Sequence, residues 1–144
     1  MKKYKILPHT ADVRLKIKGA TLEELFEAGL QGMNSIVKKE KVKVKSGEED
    51  FKSVEVVKKV KLSAADTTSL LIDFLSEILT YSQEERAVFT KVLFGDLDEK
   101  NIAAEIYGET VDEFGKDIKA VTYHEANVVK NKKGNYETFI IFDI

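Results

Sequence analysis

The sequence lacks cysteine altogether and has a single proline and two histidines in 144 residues. Without cysteine the chain has no disulfide, no thiolate nucleophile and no cysteine-ligated zinc site, which suits a reducing cytoplasm. The sequence has no run of about 18 apolar residues that would span a membrane, and no charged-then-apolar leader at its start. It therefore predicts a cytoplasmic protein that makes no use of a membrane or of thiol chemistry.

An excess of either charge is also missing. Lys and Arg number 23 against 25 Asp and Glu, a net charge of −2. Proteins that coat nucleic acid electrostatically carry a basic excess, so direct RNA binding is not expected. The lysine-rich run at residues 38–45 lacks interleaved aromatic residues and is followed by acidic residues, which favours a solvated helix end over an RNA contact.

The hydrophobic pattern predicts one α+β domain over residues 1–144, because this length suits a single domain and the elements are of both kinds. Apolar residues alternate with charged ones along Asp12 to Lys18, as in a strand with one wet face. Thr21 and Glu24 form a capping box at the start of a helix. Ser63 and Asp66 are the two candidate caps of a second helix. The apolar stripe predicted for that helix comprises Leu70, Leu71, Phe74, Leu75, Ile78 and Leu79. The predicted helices are Thr21 to about Val37 and Asp66 to about Ser82, and the predicted strands are Asp12–Lys18, Ser53–Leu62, Val88–Leu97, Ile102–Gly108, Lys119–Lys130 and Tyr136–Ile144.

A largely antiparallel or mixed sheet with two amphipathic helices packed on it is the architecture we expect. Residues 139–142 are apolar on both faces of the last strand, so that strand is predicted to be central. Gly29 and Gly32 lie inside the first helix, where each costs about 1 kcal/mol against alanine. Close packing of that helix on the sheet is the simplest reason for them.

The usual catalytic patterns are missing. His9 and His124 are isolated imidazoles, whereas a zinc hydrolase uses three or more ligands at regular spacing, so hydrogen-bonded structural histidines are favoured. No serine lies in a Gly-x-Ser-x-Gly elbow, and the glycines have neither Walker nor dinucleotide spacing. The residues therefore give no evidence of a hydrolase or of nucleotide binding, although a Ser-His-Asp triad stays open because serine and aspartate are plentiful. A metal-dependent hydrolase is the weakest of the alternatives, because histidine is so scarce.

Carboxylates at the two ends of the chain are more informative. Asp12 begins the first predicted strand, Asp143 is the penultimate residue, and Ile144 supplies a terminal carboxylate. These oxygens converge if the last strand runs antiparallel beside the first, and a hard cation such as calcium or magnesium would suit them. Spacing alone gives only weak support for this site.

Five motifs, in order, resemble the archease family over nearly the whole chain. They are His9-Thr10-Ala11-Asp12, Gly19-Ala20-Thr21-Leu22-Glu23-Glu24-Leu25-Phe26, Leu70-Leu71-Ile72-Asp73-Phe74-Leu75-Ser76-Glu77, Ile118-Lys119-Ala120-Val121-Thr122-Tyr123-His124 and Phe142-Asp143-Ile144. One departure is the short segment 112–117, which lacks the histidine expected there. If that segment helps a partner to dock, affinity or partner choice would differ.

The resemblance implies a partner protein, not an enzyme: a non-catalytic partner of the RtcB-type RNA ligase, the GTP-dependent enzyme that joins tRNA halves. Archeases promote guanylylation of this ligase, restore its multiple turnover and broaden its nucleotide use, so the involvement of tRNA is indirect. The resemblance also implies a divalent metal, calcium in the first place with magnesium and manganese as alternatives, held by Asp12, Asp143 and Ile144. Lys119 corresponds to the family's functional lysine.

The register of the closing hairpin has two alternatives. A five-residue loop at 131–135 pairs Lys130 with Tyr136 and places Asp143 opposite Tyr123, whereas a two-residue turn places it opposite His124. We favour the longer loop, which puts Lys119 and Asp143 on one face. His9, Tyr123 and His124 are then candidates for the surroundings of the ligands.

The roles themselves also have alternatives. Lys119 could form only a surface ion pair with the neighbouring carboxylates, worth about 0–1 kcal/mol. The whole protein could serve as a general chaperone or adaptor for RNA-modifying enzymes such as a tRNA methyltransferase.

Overall fold

The computed structural model describes residues 4–6, 12–37 and 51–144. Within these residues the chain forms eight strands and two helices. The elements are β1 (Tyr4–Ile6), β2 (Asp12–Gly19), α1 (Leu22–Val37), β3 (Glu55–Ser63), α2 (Thr67–Glu85), β4 (Ala87–Leu97), β5 (Asn101–Thr110), β6 (Ala120–Thr122), β7 (Val129–Lys130) and β8 (Tyr136–Asp143). His9 and the lysine-rich run at 38–45 lie outside the described residues.

The strands divide between two antiparallel sheets. The larger sheet has the order β1-β2-β8-β6, with β7 also pairing with β8. The smaller sheet has the order β3-β5-β4. The closing strand β8 is central as predicted, because Ile140, Ile141 and Phe142 are buried on its two faces.

Helix α1 begins with the predicted capping interactions. The Glu24 N–H donates to Thr21 Oγ1 at 3.1 Å, and Glu24 Oε2 accepts from the Ala20 N–H at 3.1 Å. A Cβ atom added at Gly32 would lie 2.0 Å from Leu15 Cδ2 of β2, and one added at Gly29 would lie 3.2 Å from the nearest atom. Both glycines therefore lie where α1 packs closely, and the contact of Gly32 is with the sheet.

Of the two predicted caps, Asp66 is the one that begins helix α2, where its Oδ1 accepts from the Ser69 N–H at 2.7 Å. The helix ends at Arg86, whose φ of 50° is left-handed. Both helices contact strands of both sheets, so the helices lie between the sheets. This position explains why Ile72, outside the apolar stripe predicted for α2, is fully buried. The α+β class is confirmed, with the strands in two sheets around a helical layer.

The closing segment differs from the prediction of one strand over Lys119–Lys130. Lys130 does pair with Tyr136, as the longer loop requires. Asp143, however, pairs with Ala120, so its predicted pairing with Tyr123 is wrong, as is the alternative with His124. Ten residue steps from Ala120 to Lys130 face seven from Tyr136 to Asp143, so three residues are extruded from the ladder.

The extruded residues belong to the connection 123–128, which leaves the sheet between β6 and β7. A turn in which the Ala126 N–H donates to the Tyr123 carbonyl at 3.2 Å begins it, and Glu125 has a left-handed φ of 60°. The connection is then fixed at its far end, where the Val128 N–H donates to Thr68 Oγ1 of α2 at 2.9 Å. The extrusion is therefore an ordered part of the fold.

No helix in the described part of the chain is long and apolar enough to cross a membrane.

Candidate functional site

The first long strand and the last strand end together at one corner of the larger sheet. Asp12 of β2 pairs directly with Asp143 of β8, and Ile144 follows Asp143 at the end of the chain. Asp12 is exposed, whereas Asp143 and Ile144 are half-buried. These three residues are called the acidic corner below. The antiparallel arrangement that the convergence of these oxygens requires is present.

The register places the side chains of Asp12 and Asp143 on the same face. Directly opposite residues in antiparallel strands have Cβ atoms about 4.5–5.5 Å apart, and like charges in such pairs are destabilising. Within the described residues, neither carboxylate has a hydrogen bond or an ion pair from a side chain or backbone group. The corner is therefore an uncompensated pair of anions.

The donor set suits a hard cation but is small. Across residues 12–37 and 51–144, no cluster of three His, Cys, Asp or Glu side chains occurs, so side chains alone supply two carboxylates. Calcium takes six to eight oxygen ligands at about 2.3–2.6 Å, including water. The corner thus provides part of a calcium coordination sphere and leaves positions open to water or to a partner's oxygens.

Lys119 is joined to this corner through its backbone. Its N–H donates to the Asp143 carbonyl at 2.7 Å, while its side chain is exposed. The preceding Ile118 is buried, and its carbonyl accepts from Gln83 Nε2 at 3.0 Å. No ion pair joins Lys119 to either aspartate in the described structure. The described structure therefore lacks the surface ion pair that the alternative role of Lys119 required, and the lysine side chain faces solvent.

Ile118 and Val121 are both buried, so simple alternation of faces does not hold between these positions. The predicted common face of Lys119 and Asp143 rested on the wrong register. What connects the two residues is the backbone hydrogen bond, which fixes their positions on neighbouring segments.

Tyr123 lies against helix α2. Its hydroxyl donates to Asp73 Oδ1, and this hydrogen bond, together with the negative charge, raises the pKa of the Tyr123 phenol. His124 is exposed in the turn that follows β6. Of the three residues considered for the surroundings of the ligands, Tyr123 is thus engaged with Asp73.

A stacked cation next to the corner was not anticipated from the sequence. The Arg14 guanidinium carbon lies 4.2 Å from the centroid of the Phe139 ring, and Arg14 Nε is 3.1 Å from Glu125 Oε2. The alternation along β2 does place Arg14 on the wet face. Its partner Glu125 reaches it only because the connection 123–128 leaves the sheet, and no local sequence signal indicates that.

A cleft of about 620 Å³ opens between α1, the beginning of β4 and the end of β5. It is lined by residues that include Gln31, Asn34, Phe51, Thr90 and Asp112. None of the acidic-corner residues lines it, so the cleft and the carboxylate pair are separate features.

Fold and corner together define a small α+β protein with a helical layer between two antiparallel sheets and an oxygen-rich corner at the end of its central strand. A sequence model described as the Archease protein family (MTH1598/TM1083) matches residues 4–144. The chain therefore belongs to the archease family.

Individual relatives agree with this assignment. The chain is 32% identical to the protein archease of Methanosarcina barkeri, with 99% of this chain and 97% of that one covered. It is 34% identical to a protein archease-like of Drosophila melanogaster, with 99% and 90% covered.

Solved structures share the fold. The solution structure of protein 1598 of Methanobacterium thermoautotrophicum has a TM-score of 0.66 at 25% identity, covering 99% of this chain and 98% of that one. A crystal structure from Thermotoga maritima, described as an archease and possible chaperone, has a TM-score of 0.64 at 17% identity and covers 97% and 96%. At that identity the second likeness shows the fold alone.

Proposed function

We propose that this protein is a non-catalytic activator of an RtcB-type, GTP-dependent RNA ligase, promoting ligase guanylylation and multiple turnover. The observation that carries the proposal is the direct pairing of Asp12 with Asp143. It unites the first and last family motifs at one exposed corner, beside the Lys119 segment of a third motif. The involvement of tRNA is then indirect, through the ligase, and the protein works in the cytoplasm.

Asp12, Asp143 and Ile144 are the residues proposed to hold a divalent cation, with calcium favoured over magnesium or manganese. Oxygen-only donors on exposed strand ends suit calcium's flexible coordination better than the strict octahedron of magnesium. When bound, the cation would neutralise the carboxylate pair and offer coordination positions to oxygen atoms of the partner. The backbone of Asp143 pairs with Asp12 of β2 on one side and with Ala120 of β6 on the other, which fixes the point from which its carboxylate extends.

Lys119 is proposed to act as a mobile point charge that contacts a phosphate at the ligase active site. Its side chain is exposed, and its backbone is held to the Asp143 carbonyl at 2.7 Å. A lysine ammonium on a flexible stem suits a phosphate without requiring a fixed bidentate geometry. Its anchored backbone limits the region that the ammonium explores to the neighbourhood of the acidic corner.

The test is multiple-turnover RNA ligation by a purified RtcB-type ligase, with GTP-dependent guanylylation followed in parallel. We expect wild type to restore turnover, and Asp12→Asn or Asp143→Asn to lose most of that effect together with calcium binding. Lys119→Gln should retain calcium binding and lose activation. Glu99→Gln, which neutralises an exposed carboxylate in the β4–β5 turn, is the matched control and should activate fully.

Each outcome bears on a separate part of the proposal. Full activation by Asp143→Asn would remove the acidic corner from the mechanism. Loss of calcium binding in Lys119→Gln would make that lysine part of the metal site. An unchanged ligase in the presence of wild type would overturn the partnership itself.

A chaperone or adaptor role for RNA-modifying enzymes is the second candidate, because TM1083 of Thermotoga maritima, which the description of the matching family model names, is described as a possible chaperone. That role predicts that wild type and Asp143→Asn raise the soluble yield or activity of an unrelated enzyme, such as a tRNA methyltransferase, equally. Dependence on Asp143 in such an assay would count against it.

A further inference from the structure

The outer edge of strand β3 is long and regular. β3 is an end strand of the smaller sheet, and all nine of its residues pair with β5 without an irregularity. The other end strand, β4, contains two register shifts, and such irregularities are one way in which proteins prevent the addition of a strand at a sheet edge. Of the two edges of this sheet, that of β3 therefore has the geometry that a further strand needs.

Alternate residues of β3 direct their backbone groups toward this edge. The Thr110 N–H donates to the Val54 carbonyl at 2.9 Å, so the even-numbered residues bond across to β5. Because bonded and non-bonded positions alternate in an antiparallel pair, the odd-numbered residues point their N–H and C=O groups outward. Within the described residues, these groups make one hydrogen bond, in which the Lys59 carbonyl accepts from the Tyr81 hydroxyl at 3.4 Å. A carbonyl has two lone pairs, so this acceptor also has room for a further donor.

The side chains along the edge carry charges of both signs. The odd-numbered residues of β3 face away from the helices, since Val57 is 46% exposed and Val60 is 2% exposed. Glu55 and Lys59, two positions to either side of Val57, are also exposed, and neither forms an ion pair within the described chain. Glu55 instead lies opposite Glu109 of β5, and like charges directly opposed in a sheet are destabilising. The open side of β3 is thus where Glu55 has space for a cation.

An antiparallel pair of two β3 strands centred on Val57 satisfies both the backbone and the charges. In that register Glu55 lies opposite Lys59 of the second copy, and the two Val57 side chains meet on the twofold axis. The opposed residues are all odd-numbered, as the outward backbone groups require, and they exchange about six hydrogen bonds, two for each pair. On the other face, Val54, which is 62% exposed, lies opposite Val60 of the second copy.

Neighbouring registers lack this complementarity. Three of them oppose a lysine to its own copy, namely those centred on Lys58, Lys59 and Lys61. Centring the pair on Val60 opposes Lys59 to Lys61, and centring it on Val56 opposes Glu55 to an uncharged residue. Lysines on an exposed strand commonly prevent edge-to-edge pairing, but in the register centred on Val57 each of them faces a carboxylate or an uncharged residue. The order of charges in β3 therefore favours one register.

We propose that two copies of this protein associate through β3, as an antiparallel pair centred on Val57, and so join two three-stranded sheets into one sheet of six strands. A strand of another protein would satisfy the same backbone groups, but the symmetric placement of Glu55 and Lys59 about Val57 favours a second copy. Because the contact uses the same patch on both copies, it closes at two subunits.

The dimer leaves the acidic corner accessible in each copy. That corner belongs to the larger sheet, and the helices lie between the two sheets, so the edge of β3 and the corner are on different sides of the molecule. One assembly would then present two acidic corners, which goes beyond the proposed activation of a ligase.

The test measures the molar mass of the full chain by sedimentation equilibrium, in EGTA so that no shared calcium ion links the copies. An interface of one strand from each copy is at the small end of specific interfaces, so the concentration series should reach about 1 mM, the Kd of a weak complex. We expect wild type to be a dimer at the upper end. Glu55→Lys and Lys59→Glu each oppose like charges in both cross-strand pairs and should raise the dimer Kd by about tenfold or more.

Mixing these two variants provides the sharpest comparison. In an equimolar mixture every opposed pair is again a lysine with a glutamate, so a heterodimer should form although each variant alone is monomeric. The double variant Glu55→Lys/Lys59→Glu should dimerise as wild type does, for the same reason. Lys132→Glu in the β7–β8 turn and Glu99→Lys in the β4–β5 turn carry the same charge changes at exposed positions and should leave the wild-type Kd unchanged.

Val57→Pro tests the backbone part of the contact. Proline is tolerated in an edge strand where the N–H faces away from the sheet, so this variant removes an outward donor and keeps the ladder with β5. It should be monomeric throughout the series, and circular dichroism shows whether it and the charge variants are folded.

Four results would overturn the proposal: a wild type that stays monomeric up to about 1 mM, a species larger than a dimer, a dimer retained by folded Val57→Pro, or no heterodimer in the mixture. None of these results bears on ligase activation, which is measured separately. If a single charge variant fails to fold, the double variant and Val57→Pro still decide between the register proposed and another contact.

Discussion

Replacing Asp143 by asparagine should change stability in opposite directions with and without calcium. Asp143 faces Asp12 directly across the ladder, and neither carboxylate has a compensating partner in the described residues. Opposed like charges in such pairs cost about 0.2–1 kcal/mol. In the presence of a chelator, Asp143→Asn removes that repulsion and should therefore be more stable than wild type by a similar amount.

If the acidic corner binds calcium, wild type should become more stable than Asp143→Asn when calcium is present. A ligand that binds only the folded state at about 100 times its Kd stabilises that state by about 2.7 kcal/mol. For a domain of this size each kcal/mol corresponds to about 4 °C in Tm. The variant should therefore melt up to about 4 °C above wild type in EGTA, and well below it when calcium approaches saturation.

The assay is thermal unfolding followed by circular dichroism, across a calcium series that begins in EGTA. Glu99→Gln serves as the control and should follow the wild-type curve at every calcium concentration. A variant less stable than wild type in EGTA would refute the reasoning, because it would mean that the Asp143 carboxylate stabilises the fold without a cation. A wild-type Tm independent of calcium would remove the metal site.

Two further predictions concern the scaffold. Gly32→Ala places a Cβ 2.0 Å from a methyl carbon of the buried Leu15. The resulting overpacking costs about 1–3 kcal/mol, which equals or exceeds the gain of about 1 kcal/mol in helix propensity. Gly29→Ala meets its nearest atom at 3.2 Å and should be the more stable of the two variants in urea unfolding. The Ser69 N–H lowers the pKa of Asp66, so the cap's ionic contribution is present above the unfolded-state pKa of about 4 and lost as pH falls through the lower folded-state value. The advantage of wild type over Asp66→Asn in urea midpoint should therefore shrink between pH 7 and pH 3.

Equal midpoints for the two glycine variants would mean that Leu15 moves aside without cost. A constant difference between wild type and Asp66→Asn across the pH range would mean that the cap accepts its hydrogen bond equally well when neutral.

Features determined by neighbouring residues could be predicted from the sequence. The alternation from Asp12 to Lys18 appears as alternating exposure in β2, and one of the two predicted caps, Asp66, caps α2. These features depend on spacing within one element, where strand and helix geometry fix which side chains share a face. The central position of β8 followed in the same way from its two apolar faces.

The division into two sheets could not be obtained in this way. An apolar stripe shows that a helix has one buried face, but it does not show how many layers surround the helix. Ile72 lies outside the stripe of α2 and is nevertheless fully buried, because α2 contacts strands of both sheets. A second buried face results from tertiary packing, and a single isoleucine is too little pattern to indicate it.

The candidate site shows where the sequence is sufficient and where it fails. The meeting of Asp12 and Asp143 was weakly indicated by spacing and became a definite expectation only through the family motifs, since pairing between the first and last strands leaves no local periodic trace. The error at Tyr123 has a different origin. The predicted register assumed that faces alternate without a break through Lys119–Lys130, but Glu125 adopts a left-handed φ that glycine and asparagine usually signal. Because neither residue type marks that position, the extrusion that sets the register beside Asp143 could not be predicted from the sequence.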